Sequence, residues 1–316
     1  MRQLLIFLSV VVLLGSVALV QAALPSQMIR NKGSDTMYKV ATTWAEAYVQ
    51  RNKNLDKKRQ ETLQGSLRGN YVPLEKVEIH VTGGGSGNGI ASLINGHSDI
   101  ANSSRAVKEK EINLAIQMGQ PKPMGFIVGW DAVVILVHDK NPMEGIEVDQ
   151  LRNIFEKIGH VTHWKQLDTE FAACESNQIK RISRKNTSGT YAFFKNRIGS
   201  DNVQFNSEMD SLEYSREVVN HTANTPCAIA YAGMAYITDG VKVLCIKDAA
   251  NTPCVYPSVQ SVADRTYPFA RPLYMYTLGH PEGPVKDYLD WVRGAEGQKI
   301  LKDAGYVPLK DGPSFD

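Results

Sequence analysis

An α/β fold of two lobes, each a mainly parallel sheet flanked by helices and joined by a two-strand hinge, is the class expected for this 316-residue chain. Three observations predict it. Four short turns rich in glycine and hydroxyl residues recur, each expected to lead into a helix. A strand–turn–helix–strand order recurs with them, which is the pattern of a parallel sheet with ligands at the carboxyl ends of its strands. Two apolar strands far apart in the chain, Asp131 to His138 and Arg271 to Thr277, are placed to carry it out of one lobe and back, which makes a hinge.

Taken in order, Arg2 and the apolar run Leu4 to Val20, closed by Val20-Gln21-Ala22, read as a secretory signal peptide over residues 1–22. The run is short for a bilayer span, and no cysteine stands at the cleavage point to carry a lipid. Met37, Val40, Ala41, Trp44 and Tyr48 repeat at helical spacing after the first turn. Arg51 to Asn70, dense in Lys, Arg, Asn and Gln, reads as a solvated helix and loop. Val77, Ile79 and Val81 alternate as a strand. The strand from Asp131 ends at Asn141-Pro142, another runs Ile179 to Ser183, and Tyr191, Phe194 and Ile198 mark the helix that follows it. From Gly279 the chain reads as helical through Tyr288, Leu289, Trp291 and Val292. Lobe I is expected over 23–129 and 270–316 and lobe II over 130–269, with no internal repeat and no low-complexity tail.

A formal charge of +2, from 35 basic and 33 acidic residues, argues against a broad nucleic-acid surface, so any bound anion must be recognised locally. The length suffices for two cores. Cys174, Cys227, Cys245 and Cys254 in an exported chain suit two structural disulfides, for which three connectivities exist. Cys245–Cys254, across the turn Asn251-Thr252-Pro253, is favoured, and it leaves Cys174–Cys227.

The chemistry lies in four turns: Gly33-Ser34-Asp35-Thr36, Gly83 to Gly89 around Ser86, Asn102-Ser103-Ser104-Arg105 and Thr187-Ser188-Gly189-Thr190. A helix start offers unpartnered N–H groups and the positive end of the macrodipole; glycine admits close approach and Ser or Thr adds a hydroxyl donor. Convergence on one small oxyanion is the expectation. Gly83 to Gly89 fits neither phosphate-loop pattern and lacks the loop lysine, so nucleotide hydrolysis has no support. Ser86 as a hydrolase nucleophile is the enzyme alternative, but Asn88 stands where a nucleophile elbow requires glycine. Arg184, four residues before Ser188, can aim a planar fork at the same ligand as that helix start. His160-x-x-His163 has no evident third ligand, so no metal and no cofactor are expected. Trp44, Trp130, Trp164 and Trp291 read as packing residues, and the sequons at Asn102, Asn186 and Asn220 are discounted.

With these residues in view, the chain from Ile29 to Leu309 resembles the periplasmic phosphate-binding proteins, the solute receptors of phosphate ABC transporters. The resemblance rests on Gly33-Ser-Asp-Thr-Met37, Gly85-Ser-Gly87, Ser98-Asp-Ile-Ala-Asn-Ser-Ser-Arg105, Leu151-Arg-Asn-Ile-Phe155 with Thr162-His-Trp164, Arg184-Lys-Asn-Thr-Ser-Gly-Thr190 and Tyr267-Pro-Phe-Ala-Arg-Pro-Leu-Tyr274. It implies the type II periplasmic-binding-protein fold, a monomeric, non-enzymatic role in the periplasm, and docking on permease subunits. It places phosphate at Thr36 and the N–H of Met37, in the turn with Ser34 and Asp35, at Ser86, at Arg184, and at Ser188, Gly189 and Thr190. Many relatives carry an aspartate where this chain has Ser104 followed by Arg105; a related subgroup shares Ser-Arg. Asp35 is therefore expected to accept the proton of hydrogen phosphate, and Arg105 to add a second positive charge. Relatives often carry an aspartate paired with the arginine where Asn186 stands, so Arg184 is expected to keep more of its charge for the ligand. The same fold selecting sulfate, molybdate, tungstate or arsenate is the nearest alternative, and a signalling or adhesive module is another.

Overall fold

A computed structural model describes residues 27–64, 76–199 and 203–311. The expected signal peptide and the end of the polar stretch at 65–70 lie outside the described residues. The chain first alternates strand and helix: β1 (Gln27–Gly33), α1 (Asp35–Gln64), β2 (Val77–Thr82), α2 (Ser86–Ile94), β3 (Ile100–Ser103), α3 (Glu109–Gln117) and the long β4 (Pro123–His138). It continues through β5 (Gly145–Glu147), α4 (Val148–Phe155), β6 (Lys180–Arg184), α5 (Gly189–Ile198), β7 (Asp210–Leu212), α6 (Ser215–Ala223), β8 (Ala228–Gly233) and β9 (Val241–Lys247). It closes with α7 (Val259–Ala263), β10 (Ala270–Leu278), α8 (Gly283–Arg293) and α9 (Ala295–Asp303).

The strands run β2-β1-β3-β10-β4-β8-β6-β7, with β9 pairing β4 and β5. On one side β1 is parallel to β2 and β3; on the other β6 is parallel to β7 and β8. The two hinge strands join them. The first part of β4, Pro123 to Ala132, pairs antiparallel with β10, and the rest, from Val133, pairs with β8 and β9. Both hinge strands are longer than the apolar pattern alone marked, because their first residues are held by each other's ladder.

Burial follows the same division. One core gathers residues between Trp130 and Phe269, joined by Val307. A second gathers Ile29 to Val128 with Leu273 to Tyr306, and a smaller third cluster around Ile90 and Ile94 backs it. The helix expected from Met37, Val40, Ala41, Trp44 and Tyr48 buries those residues in the second core, where the Trp44 indole donates to the Gly297 carbonyl at 2.7 Å. Cys174–Cys227 and Cys245–Cys254 are both disulfide-bonded. Three of the four turns open helices, at Asp35, Ser86 and Gly189. The fourth does not: Ser104-Arg105 forms a bend after β3, and α3 begins only at Glu109.

Candidate functional site

Local sequence brings the turns together. Gly33 has φ 144°, and a Cβ there would lie 2.2 Å from the Asn102 carbonyl oxygen, so only glycine lets β1 end so close to β3. The Ser34 N–H donates to that carbonyl at 2.8 Å, and its hydroxyl donates to Ser104 Oγ at 3.0 Å. The Gly85 N–H donates to the Gly33 carbonyl at 2.9 Å, which seats Ser86 beside them. Ser86 Oγ accepts from the Ser104 N–H at 3.1 Å and lies 3.4 Å from Ser104 Oγ. Ser34, Thr36, Ser86 and Ser104 are all buried.

The opposing turn comes from the other core. Ser188 caps α5, its hydroxyl accepting from the N–H groups of Thr190 and Tyr191 at 3.1 and 3.3 Å. Gly189 faces the serines: a Cβ there would lie 2.2 Å from Ser86 Oγ and 2.6 Å from Ser104 Oγ. The Gly87 N–H donates to the Thr187 carbonyl at 3.0 Å, and the Thr36 and Thr190 hydroxyls are 2.8 Å apart. The amino ends of α1, α2 and α5 thus meet, concentrating partial positive charge and hydroxyl donors in one buried spot. The Met37 N–H is turned into its own turn, donating to the Ser34 carbonyl at 3.1 Å.

Full charges surround this cluster. Arg184 is buried at the end of β6 and donates from Nη1 to Ser215 Oγ at 2.5 Å and from Nη2 to the Glu213 carbonyl at 2.6 Å. Its Nη2 also lies 3.3 Å from Asp35 Oδ2, which accepts from the Ser215 N–H at 2.7 Å. Burial lowers the Arg184 pKa and the Asp35 charge opposes that shift. The guanidinium is therefore paired after all. Asp35, from across the cleft, fills the countercharge role that Asn186 leaves open, and Arg184 does not keep the extra free charge expected of it.

Arg105 is drawn elsewhere. Its Nη1 and Nη2 clasp Glu111 at 2.8 and 2.6 Å, and Nη1 also donates to the Ala106 carbonyl at 2.8 Å. Glu111 sits in the first turn of α3 and accepts from the Lys108 N–H at 2.8 Å, which fixes it as the partner. The structure thus brings Ser34, Asp35, Thr36, Ser86, Ser104, Arg184, Ser188, Gly189 and Thr190 together. It differs from expectation at Met37, whose N–H is spent in its own turn and whose side chain is buried in the second core, and at Arg105, whose fork is turned away to α3.

Sequence reasoning passed over a second buried ion pair beside the cluster. Arg271 on β10 donates from Nε and Nη2 to Asp131 Oδ2 on β4 at 3.0 and 2.7 Å, with both side chains fully buried. Tyr236 and Tyr306 were passed over as well; both hydroxyls donate to the Thr36 carbonyl, and Tyr236 also to that of Asp35 at 2.7 Å. The signal for the pair was a charged residue in each of two otherwise apolar strands, since buried charges need partners. Among the described residues the hydrogen bonds of Ser86 Oγ run to Ser104, and no group of three or more His, Cys, Asp or Glu is placed to hold a metal. The arrangement offers donors to an anion and gives Ser86 no base.

Known proteins share this architecture. The family model for the PBP superfamily domain matches residues 20–296. The phosphate-binding protein PstS of Pseudomonas aeruginosa is 26% identical over 312 residues, covering 93% of this chain and 89% of that protein. PstS of Bacillus subtilis is 31% identical over 238 residues, covering 74% of this chain and 72% of its own length. A Clostridium perfringens protein, assigned as a phosphate ABC transporter substrate-binding protein and crystallised with phosphate, superimposes with a TM-score of 0.70 at 20% identity, over 90% of this chain and 100% of that one. This chain belongs to the PBP superfamily, among the PstS-like phosphate-binding proteins.

Proposed function

We propose that the chain binds inorganic phosphate outside the cytoplasm and delivers it to the permease of an ABC transporter, without catalysis. The observation that carries this reading is the convergence of three helix starts and their hydroxyls, from both cores, on one buried spot. The family, with its named phosphate-binding relatives, supplies the substrate class. Export rests on the apolar leader at 1–22, cleaved in the mature protein. Among the described residues no helix is long and apolar enough to cross a membrane.

Lobe I comprises 23–129 and 270–316 and lobe II 130–269, a division that follows the two cores and the switch of β4 from β10 to β8. Thr36, Ser86 and Ser104 present donors from lobe I; Arg184, Ser188, the Gly189 N–H and Thr190 present them from lobe II. The hydroxyls bond one another across the cleft, so an entering oxyanion exchanges hydroxyl–hydroxyl bonds for charge-assisted ones, which are shorter and about twice as strong. Micromolar affinity needs roughly −8 kcal/mol, and hydrogen bonds to charged groups contribute about 1.5–3 kcal/mol each. Several such bonds exceed the requirement, and the surplus offsets stripping water from the anion and ordering the lobes. Only a ligand held by both lobes has the differential affinity that shifts the hinge.

Calorimetric titration with phosphate, with sulfate as competitor, tests the reading: saturable 1:1 binding of phosphate that sulfate does not displace is expected, and equal binding of sulfate would make this a general oxyanion receptor. Asp35, buried beside Thr36, is the proton acceptor that separates the two anions. Asp35→Asn should narrow the phosphate-over-sulfate preference about tenfold, on the order of one hydrogen bond to a charged group; an unchanged preference removes Asp35 from that role.

A further inference from the structure

We infer that Arg271 is a further anion-contacting residue, supplied from the hinge itself, and that Asp131 holds it there. The inference rests on the phosphate reading above. Arg271 stands directly opposite Asp131 in the β10–β4 ladder. Two residues further along, at Val133, β4 has turned to pair with β8. The pair therefore sits at the crossing point between the lobes.

The donors decide what Arg271 does there. A guanidinium carries five N–H groups in a fixed plane. Asp131 Oδ2 takes one from Nε and one from Nη2, and the Ser104 carbonyl takes one from Nη1 at 3.1 Å. Nη2 also reaches Thr190 Oγ1 at 3.1 Å and Thr36 Oγ1 at 3.4 Å. Those two hydroxyls come from opposing turns and share a bond of 2.8 Å. An oxyanion oxygen that enters between them takes both hydroxyl protons and the second Nη2 proton together. Asp131 and the Phe193 ring, whose centroid lies 5.5 Å from the guanidinium carbon, fix the plane of the fork. Burial pushes the Asp131 carboxyl above its ordinary pKa, and the Arg271 charge and its hydrogen bonds oppose that shift.

Strand pairing alone does not call for such a pair. The β4–β10 ladder already joins these strands, and a buried ion pair is often no more stabilising than apolar residues of the same volume. A contact to both opposing hydroxyls gives the pair a purpose. It also makes the Arg271 bond to an anion one that is completed only when the turns close, the condition for a ligand to favour closure.

Phosphate titration calorimetry on the full mature chain, with ligand-free thermal melts to establish folding, tests the assignment. Asp131→Asn/Arg271→Gln removes both charges together and leaves no buried charge unpaired. It should bind phosphate at least about tenfold more weakly than the wild type. Arg271→Lys keeps a charge beside Asp131 without the planar fork, and it too should lose about tenfold. Asp131→Asn keeps the Arg271 charge but weakens the acceptor that orients the fork, so it should also bind phosphate more weakly, a loss at the ligand that a simple strand tie does not produce. Wild-type affinity in Arg271→Lys or in the double variant overturns the contact, and wild-type or higher affinity in Asp131→Asn overturns the holding role given to that carboxylate. A wild-type chain that binds no phosphate overturns the functional reading itself, and this inference with it.

Discussion

Two buried arginine–carboxylate pairs flank the hydroxyl cluster, and they are built differently. Arg271 and Asp131 face each other across adjacent antiparallel strands, so the backbone ladder sets their distance. Arg184 and Asp35 share no strand; their 3.3 Å approach, and the bond from the Ser215 N–H to Asp35, depend on the start of α1 lying against β6 and α6. The first pair is held within one strand ladder, and the second joins elements of two different cores. One cluster thus has a charge pair fixed by local pairing beside one that depends on how the two cores meet.

The largest effect expected from breaking this contrast is on stability. Arg271→Ala leaves the fully buried Asp131 unpaired and should cost about 3–5 kcal/mol of unfolding free energy by chemical denaturation. Arg184→Ala should destabilise the ligand-free chain less, because Asp35 retains the Ser215 N–H. Its effect belongs instead to binding: phosphate affinity should fall by roughly ten- to a hundredfold in calorimetry, the range for losing a hydrogen bond to a charged group. Equal stability losses in the two variants would erase the distinction between the ladder-held pair and the pair made between the two cores.

Gly189→Ala sharpens it from the steric side. The added methyl would lie 2.2 Å from Ser86 Oγ, between the two turns. Overpacking of this kind costs about 1–3 kcal/mol, and here it opposes closure more than folding. Phosphate should bind at least about fivefold more weakly with the melting temperature of the ligand-free chain little changed; unchanged affinity would mean that the turns need not approach this closely.

The smallest effect lies outside the site. Arg30 and Asp99 join β1 to the segment before β3, with side chains 46% and 28% exposed. Burial raises the Asp99 pKa, but hydrogen bonds from the Arg30 side chain and N–H outweigh it and hold the carboxyl below its ordinary value. A carboxyl depressed in the folded state stabilises above its unfolded pKa and loses that contribution as pH falls through the folded one. Asp99→Asn should therefore cost under about 1 kcal/mol near neutral pH, and nothing in acid below the carboxylate range. A loss that persists in acid would point to packing instead of charge.

Much of the site was legible because it is local. A glycine or hydroxyl residue before an apolar helical repeat marks a helix start, and Ser34, Ser86 and Ser188 were found that way. Cys245 and Cys254 flank a turn, so their pairing followed. What escaped depends on register and distance. Asp131 and Arg271 are 140 residues apart, and only the pairing of β4 with β10 puts them opposite each other. Arg105 looked free for a ligand because nothing in the pattern showed that Glu111, six residues on, is turned back by the first turn of α3. Arg184 looked unpaired because Asn186 was weighed as its neighbour in sequence, whereas its carboxylate comes from the start of α1.

The most direct measurement is a crystal structure of the mature chain grown with millimolar phosphate. One tetrahedral ion enclosed between the lobes is expected, within hydrogen-bonding distance of Thr36, Ser86 and Thr190 and with Arg184 in place against Asp35. Phosphate found only on the outer surface, with those turns well separated around open solvent, would contradict it.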